Sequence, residues 1–303
     1  MFSFNRFNVE ERIGFMNTIG FIGLGIMGQA MAWNARKGGF TIRVCNRNPE
    51  KCYPFAEDHI PVTQNPADLL ADSQALVIMV TGPEALKEII HTLVQKNLSG
   101  RVIINASTVA VDTTLDAARA VTEAGGMFLD APVSGSKIPA QTGQLVFLVG
   151  GDIEVLERCR PLMTTMGKVI WHCGAVGDGT RMKLAINLML ANMVHGLSET
   201  LVFAQKLGLK GEAVMQVIQS GVMAAPLLKM KGESILARDF SPHFPLDLVF
   251  KDLNLILDEA GRQGTVLPAT SAVRESFNSA MAQGWGRDDI GAVVRALELM
   301  SGL

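Results

Sequence analysis

The sequence predicts an α/β fold, a doubly wound sheet followed by an all-helical region, and three observations carry that prediction. A strand, a glycine turn and a helix follow one another from Asn17 to Lys37. Buried strands then alternate with helices as far as Trp171, and after Gly179 no alternating strand pattern recurs. Such alternation places a mostly parallel sheet between two helical layers.

Taken in order, Thr18-Ile19-Gly20-Phe21-Ile22 reads as the first strand and Gly23-Leu24-Gly25-Ile26-Met27-Gly28 as the turn. The helix after it ends near Lys37, stopped by Gly38-Gly39. Phe40 to Cys45 supplies a second strand at the spacing a parallel βαβ unit needs. A buried strand Ala75 to Val80, the turn Thr81-Gly82-Pro83, a helix to about Lys96 and the strand Val102 to Asn105 continue the alternation. A helix near Asp112 to Ala124, then Met127 to Asp130, a strand near Gln144 to Val149, a helix from Asp152 and a short strand Val169-Ile170-Trp171 complete it. From Met182 to Phe203 apolar residues recur all round, which predicts a long helix buried on most sides and joining the two regions. Helices at about Gly211 to Gly221, Asp247 to Gly261, Pro268 to Gly284 and Asp288 to Met300 are separated by Gly and Pro.

The 303 residues are 48% hydrophobic and 18% charged, enough for two domains with real cores. A net charge of −2 provides no global basic field for nucleic acid or an anionic membrane, so a small-molecule partner is expected. The apolar run Leu184 to Val194 is broken by Asn187 and Asn192, too short and polar to span a bilayer. Cys45, Cys52, Cys159 and Cys173 show neither zinc spacing nor disulfide density; they read as buried thiols in a reducing, cytoplasmic setting, and no metal is expected. Residues 1 to 16 lack a secretory core and are expected to form a loosely ordered extension, with Met16 an alternative start.

Between a strand and a helix, three glycines have separate jobs. Gly23 makes the tight turn, Gly25 lets backbone N–H groups approach a pyrophosphate, and Gly28 allows helix to pack on strand. The whole turn, Gly23, Leu24, Gly25, Ile26, Met27 and Gly28, is therefore expected to hold a dinucleotide in a Rossmann-type sheet. At the end of the second strand a carboxylate would bond a ribose 2′-hydroxyl, but this chain reads Asn46-Arg47-Asn48. With no carboxylate to repel a 2′-phosphate and a guanidinium able to chelate it, Asn46 and Arg47 predict NADP. Arg47 as a solvated turn residue is the competing reading. Thr81, Ser107 and Thr108 fall beyond strand ends, where ligands of such sheets sit.

Lys183 and Asn187 lie four residues apart in the long apolar helix and so share a face. Burying an ammonium among Met182, Leu184, Ala185 and Ile186 is costly without compensation. Two readings stay open: a functional lysine, or one that snorkels to water from the first turns of the helix.

Four blocks together resemble the β-hydroxyacid dehydrogenase family, whose members include 3-hydroxyisobutyrate dehydrogenases and glyoxylate, succinic semialdehyde and tartronate semialdehyde reductases. They are Phe21 to Gly28, Asp130-Ala131-Pro132-Val133-Ser134-Gly135-Ser136, Gly177 to Asn187, and Lys251-Asp252. The resemblance covers about Asn17 to the C-terminus and is nearest to the glyoxylate and succinic semialdehyde reductase branch. It implies an NADP-binding domain over 17–176 and a helical substrate and oligomerisation domain over 177–303. It implies that Lys183 is the catalytic group, assisted by Asn187, and that Ser134, Gly135 and Ser136 hold a substrate carboxylate. It also puts Thr108 near the nicotinamide, Phe244 in the substrate pocket, and Lys251 and Asp252 beside cofactor and substrate. Asp252 as a helix-end charge and Lys251 as surface stay open. In 6-phosphogluconate dehydrogenases the helix carries a histidine where this chain has Ile186, while imine reductases and chromatin-associated members of the family lose the lysine kept here.

The expected activity is NADPH-dependent reduction of small aldehyde acids, succinic semialdehyde and glyoxylate foremost, with Lys183 as general acid. The alternatives are an NAD-dependent dehydrogenase of 3-hydroxyisobutyrate or tartronate semialdehyde type, and a cofactor-binding regulatory protein without turnover. A homodimer or homotetramer is expected, because a helix apolar all round needs cover.

Overall fold

The computed structural model describes residues 16–303, so the expectation for residues 1 to 16 lies, but for Met16, outside the described residues. The chain divides into two compact units, up to Lys183 and from Leu184 to Leu303.

Among its described residues unit one is built on nine strands: β1 (Thr18–Ile22), β2 (Thr41–Cys45), β3 (Val62–Thr63), β4 (Ala75–Ile78), β5 (Val102–Asn105), β6 (Met127–Asp130), β7 (Val133–Ser134), β8 (Leu145–Gly150) and β9 (Gly167–Gly174). The sheet order is β3-β2-β1-β4-β5-β6-β8-β7, with β9 paired to β8. Pairing is parallel from β3 to β6. It turns antiparallel at β6–β8 and β7–β8 and parallel again at β8–β9. The strands are apolar on both faces because each face has its own core. Ala75 and Val77 of β4, and Val102 and Ile104 of β5, join one cluster with α1 (Ile26–Lys37) and α6 (Ile153–Met166). Leu76, Ile78 and Ile103 point to the other, under α3 (Pro83–Leu93) and α4 (Val111–Glu123). Period-two side-chain alternation in a doubly covered sheet thus produces the continuous apolar runs seen in the sequence.

Two short helices, α2 (Tyr53–Glu57) and α5 (Lys137–Gln141), complete unit one. The long helix α7 spans Asp178–Lys206 and passes through the division at Lys183. Unit two is otherwise α8 (Gly211–Ser220), α9 (Pro226–Leu236), α10 (Leu246–Arg262), α11 (Pro268–Ala282) and α12 (Val293–Met300), with no strand among its described residues. Its two apolar clusters meet successive stretches of α7: Ala191 and Val194 join one, Leu197 and Leu201 the other.

Three expectations need correction. Helix α9 is absent from the sequence reading, because Lys229, Lys231, Gly232 and Glu233 interrupt its apolar spacing. The helix expected from Asp288 begins only at Val293; Asp289 accepts from the Gly291 N–H and caps a separate 3₁₀ turn, Ile290–Ala292. Helix α7 is not buried on most sides: Met182, Ile186, Met189 and Phe203 are exposed. An all-round apolar pattern marks what a helix is able to bury, and partner elements decide which face it does bury.

Among the described residues no helix is long and apolar enough to cross a membrane, and no three His, Cys, Asp or Glu side chains gather as a metal site. Burial pushes the Cys45 and Cys159 thiols up to about 12, so both are held as inert thiols.

Candidate active site

In unit one the glycine turn shows what each glycine is for. Gly23 has φ +93°, and a Cβ there would collide with the Met79 carbonyl oxygen. A Cβ on Gly28 would collide with the carbonyl oxygen of Gly23. Gly25 is different: nothing lies within 4 Å of the position its Cβ would take. The protein's own packing accounts for Gly23 and Gly28, whereas the bare surface at Gly25, the N-cap of α1, is open to a ligand. No acidic residue occupies the first turn of α1, so its N-terminal N–H groups and dipole are uncompensated. The arrangement fits the pyrophosphate of a dinucleotide.

Leu24 is fully buried, and its N–H donates to Asn46 Oδ1 at 2.8 Å. Asn46 Nδ2 in turn donates to the Asn48 carbonyl at 2.8 Å. Through Oδ1 the Asn46 side chain braces the glycine turn against the end of β2, while its Nδ2 is held by its own loop; the bond to Leu24 joins residues 22 apart and spacing does not reveal it. Arg47 beside it is exposed, as are Ile26 and Thr81, while Met27 is half-buried. Ser107 ties neighbouring strand ends together, accepting from the Val80 N–H at 2.9 Å and donating to the Ile78 carbonyl at 3.3 Å, and leaves Thr108 half-buried beside it.

Asp130 carries a role the sequence does not show. Fully buried at the end of β6, it accepts from the Gly177 N–H at 3.0 Å and the Thr180 N–H at 2.7 Å, tying the first turn of α7 to the sheet. Thr180 Oγ1 also pairs with Thr114 Oγ1 at 3.0 Å. Burial raises the Asp130 carboxyl above its ordinary value, while these backbone donors oppose the rise. Gly150 and Gly179 are the close approaches that make room: a Cβ on Gly150 would strike Asp130 itself, and one on Gly179 the Leu148 carbonyl. Downstream, Gly135 is exposed at φ +131°, between half-buried Ser134 and Ser136.

Lys183 is only 7% exposed, which removes the reading of a snorkelled surface lysine. Asn187, one turn later on α7, is 3% exposed. In unit two its Nδ2 donates to Asp252 Oδ2 at 2.6 Å, and its Oδ1 is buried without a hydrogen-bond partner. Asp252, also 3% exposed, has Lys251 Nζ 2.8 Å from its other oxygen, an ion-pair distance without hydrogen-bond geometry. The structure thus joins Asn187, Lys251 and Asp252 in one cluster; Asp252 is neither a solvated helix-end charge nor Lys251 a solitary surface residue. Phe244 is half-buried just ahead of α10, packed against the apolar cluster of that unit.

A family model described as the NAD binding domain of 6-phosphogluconate dehydrogenase matches residues 18–176. One described as NAD-binding of NADP-dependent 3-hydroxyisobutyrate dehydrogenase matches residues 177–297. The chain is 35% identical to glyoxylate/succinic semialdehyde reductase 1 of Arabidopsis thaliana, over 92% of this chain and 98% of that protein. The chain belongs to the β-hydroxyacid dehydrogenase family. This β-hydroxyacid dehydrogenase is also 36% identical to 2-hydroxy-3-oxopropionate reductase of Escherichia coli, over 93% of its own length and 98% of the relative. A solved structure of Mycobacterium tuberculosis 3-hydroxyisobutyrate dehydrogenase with L-serine superposes with a TM-score of 0.86 at 28% identity, covering 93% of this chain and 99% of the other. The protein is accordingly an oxidoreductase with a nicotinamide-nucleotide-binding domain.

Proposed function

We propose that this β-hydroxyacid dehydrogenase is an NADPH-dependent reductase of small aldehyde acids, succinic semialdehyde and glyoxylate foremost, with Lys183 as the proton donor. The observation that carries the reading is a nearly buried lysine one helical turn from an asparagine whose amide is fixed by Asp252 and whose buried oxygen lacks a donor. An unsatisfied buried acceptor costs about 1–3 kcal/mol, so a ligand hydroxyl or ammonium that supplies the donor gains that much.

NADPH, when bound over Gly25 and the N-terminus of α1, supplies the hydride that reduces a carbonyl carbon. Lys183 gives its proton to the carbonyl oxygen as the C=O π bond opens, so that hydride on carbon and proton on oxygen complete the alcohol; in the opposite direction the neutral amine takes that proton back. Asn187 holds substrate or lysine through Oδ1, and Asp252, fixed beside Lys251, keeps the amide from turning. Ser134, Gly135 and Ser136 take the substrate carboxylate with hydroxyl and backbone donors, and Phe244 forms an apolar wall. Thr81, Thr108 and Lys251 are assigned to cofactor binding in this reading. Arg47 receives the 2′-phosphate, with Asn46 bracing the turn rather than reaching the ribose. Self-association belongs to the same reading: Met182, Ile186, Met189 and Phe203 are apolar and exposed along α7.

Initial rates with succinic semialdehyde, glyoxylate, methylmalonate semialdehyde and tartronate semialdehyde, each with NADPH and NADH, test the proposal. A strong NADPH preference on the first two is expected, and Arg47→Ala should raise the KM for NADPH by about tenfold while leaving that for NADH unchanged. A preference for NADH favours the 3-hydroxyisobutyrate type and overturns the Arg47 assignment. Tight NADPH binding with no turnover on any acid favours a regulatory protein.

A further inference from the structure

Unit two holds a second buried charge cluster that the proposed chemistry leaves unused. Lys231 of α9 and Asp289, ahead of the 3₁₀ turn, are 3% and 2% exposed, with Lys231 Nζ 2.5 Å from Asp289 Oδ1. The same oxygen accepts from the Gly291 N–H at 3.1 Å. The other, Oδ2, accepts from two consecutive backbone groups, the N–H of His243 at 3.0 Å and of Phe244 at 3.1 Å. Around it the two segments pair as strands do: Asp289 N–H donates to the Phe240 carbonyl, Ile290 N–H to the Phe244 carbonyl, and Leu246 N–H to the Asp288 carbonyl. Pro245 bridges Asp289 directly.

We infer that the Lys231–Asp289 pair is a positioning device that sets the Phe244 segment, and through it the start of α10, and thereby the discrimination among aldehyde acids. A carboxylate in a dry setting is kept charged only if its lone pairs are filled, and here four donors fill them. Two of those donors belong to the residue lining the proposed substrate pocket and the residue before it. Pro245, which has no N–H to give, follows at once as the N-cap of α10, the helix that carries Lys251 and Asp252. An apolar pair at 231 and 289 would fill the same space without fixing where those N–H groups point, because dispersion has no direction and a charged acceptor does. His243 shares the grip through its backbone; its ring is not required.

The inference rests on the aldehyde-acid reading for the word substrate, and the test separates the two. In Lys231→Met/Asp289→Leu, both charges are removed together so that neither is left buried alone. Amide hydrogen exchange in the peptide covering residues 240–247 is expected to speed by at least about tenfold relative to wild type, with the α8 peptide 211–220 unaffected. The KM for the preferred aldehyde acid should rise by about tenfold and its advantage over the other acids shrink, while kcat stays within about threefold and the KM for NADPH within about twofold. Lys231→Arg keeps the cation and should restore both readouts, which a general loss of packing does not predict. Should the double variant not fold, Asp289→Asn, which keeps one acceptor oxygen, is expected to show a smaller change in the same direction. Unchanged exchange at 240–247 overturns the latch. Fast exchange with an unchanged KM and acid preference overturns its role in discrimination. A wild-type protein that turns over none of the acids overturns the aldehyde-acid reading and the discrimination with it, while the exchange result stands or falls alone.

Discussion

Asp289 and Asp252 are both almost completely buried in the helical unit, yet one carboxylate is saturated and the other is not. Asp289 collects Lys231 and three backbone N–H groups. Asp252 holds one hydrogen bond, from Asn187, and an ion-pair contact from Lys251, and both Asp252 Oδ1 and Asn187 Oδ1 stay without hydrogen-bond partners. Filling every lone pair makes a closed joint whose work is to hold backbone in place. Leaving acceptors open at equal depth lowers the stability of the free protein and reserves binding energy for a ligand that brings donors.

The largest effect that sharpens this contrast belongs to Lys183, one helical turn before Asn187 in the chain. Lys183→Ala is expected to lower kcat by about 10²- to 10⁴-fold with NADPH binding intact, measured by steady-state rates and a fluorescence titration of NADPH. Near-normal turnover would remove the lysine from the reaction. Next comes the carboxylates' exchange of roles. Asp289→Ala leaves Lys231 charged and buried, and urea unfolding should show a loss of about 3–5 kcal/mol. Asp252→Ala, with its ion-pair partner a quarter exposed, should cost only about 1–3 kcal/mol. It should nevertheless lower kcat/KM by about 10²-fold, as Asn187 turns out of position. Equal losses of stability with equal losses of activity would erase the distinction.

The smallest expected effect comes from a third polar site in the unit, one that stays neutral. His195 hydrogen-bonds Ser276 Oγ at 2.9 Å, and burial lowers its pKa, with the Glu199 carboxylate opposing. A histidine depressed in the folded state binds protons more readily when unfolded. Its contribution is therefore present above about pH 6.5 and is lost as pH falls below that value, by at most about 1.4 kcal/mol per pH unit. Urea midpoints at pH 7.5, 6.5 and 5.5 should decline, and more shallowly in His195→Gln; parallel declines would assign the pH dependence to other groups.

Legibility followed locality. The glycine turn could be read because strand, turn and helix lie within twenty residues, although the Met79 carbonyl that Gly23 must clear comes from a distant strand end. The Lys183 and Asn187 pair could be read as sharing a face because helical spacing is a property of the chain itself. The role of Asp130 is not legible in the run Asp130 to Ser136, since its partner Gly177 is 47 residues away. Lys231 sat in a helix the apolar spacing did not show, and its partner is 58 residues distant. Asn46 was visible as a residue at a strand end, but whether its amide faces a ribose or Leu24 depends on how the turn folds back onto β2.

Composition, periodicity and glycine placement therefore determined a doubly wound sheet followed by helices, a dinucleotide turn without an acidic residue after β2, and a lysine and asparagine one turn apart. Those follow from backbone geometry and short-range sterics, which act between near neighbours. Tertiary structure alone decided which residues of α7 are covered, which buried carboxylate is saturated and which buried acceptors have no hydrogen-bond partner. Hydrogen bonds act over a few ångströms, and the groups that meet at that distance come from positions tens of residues apart.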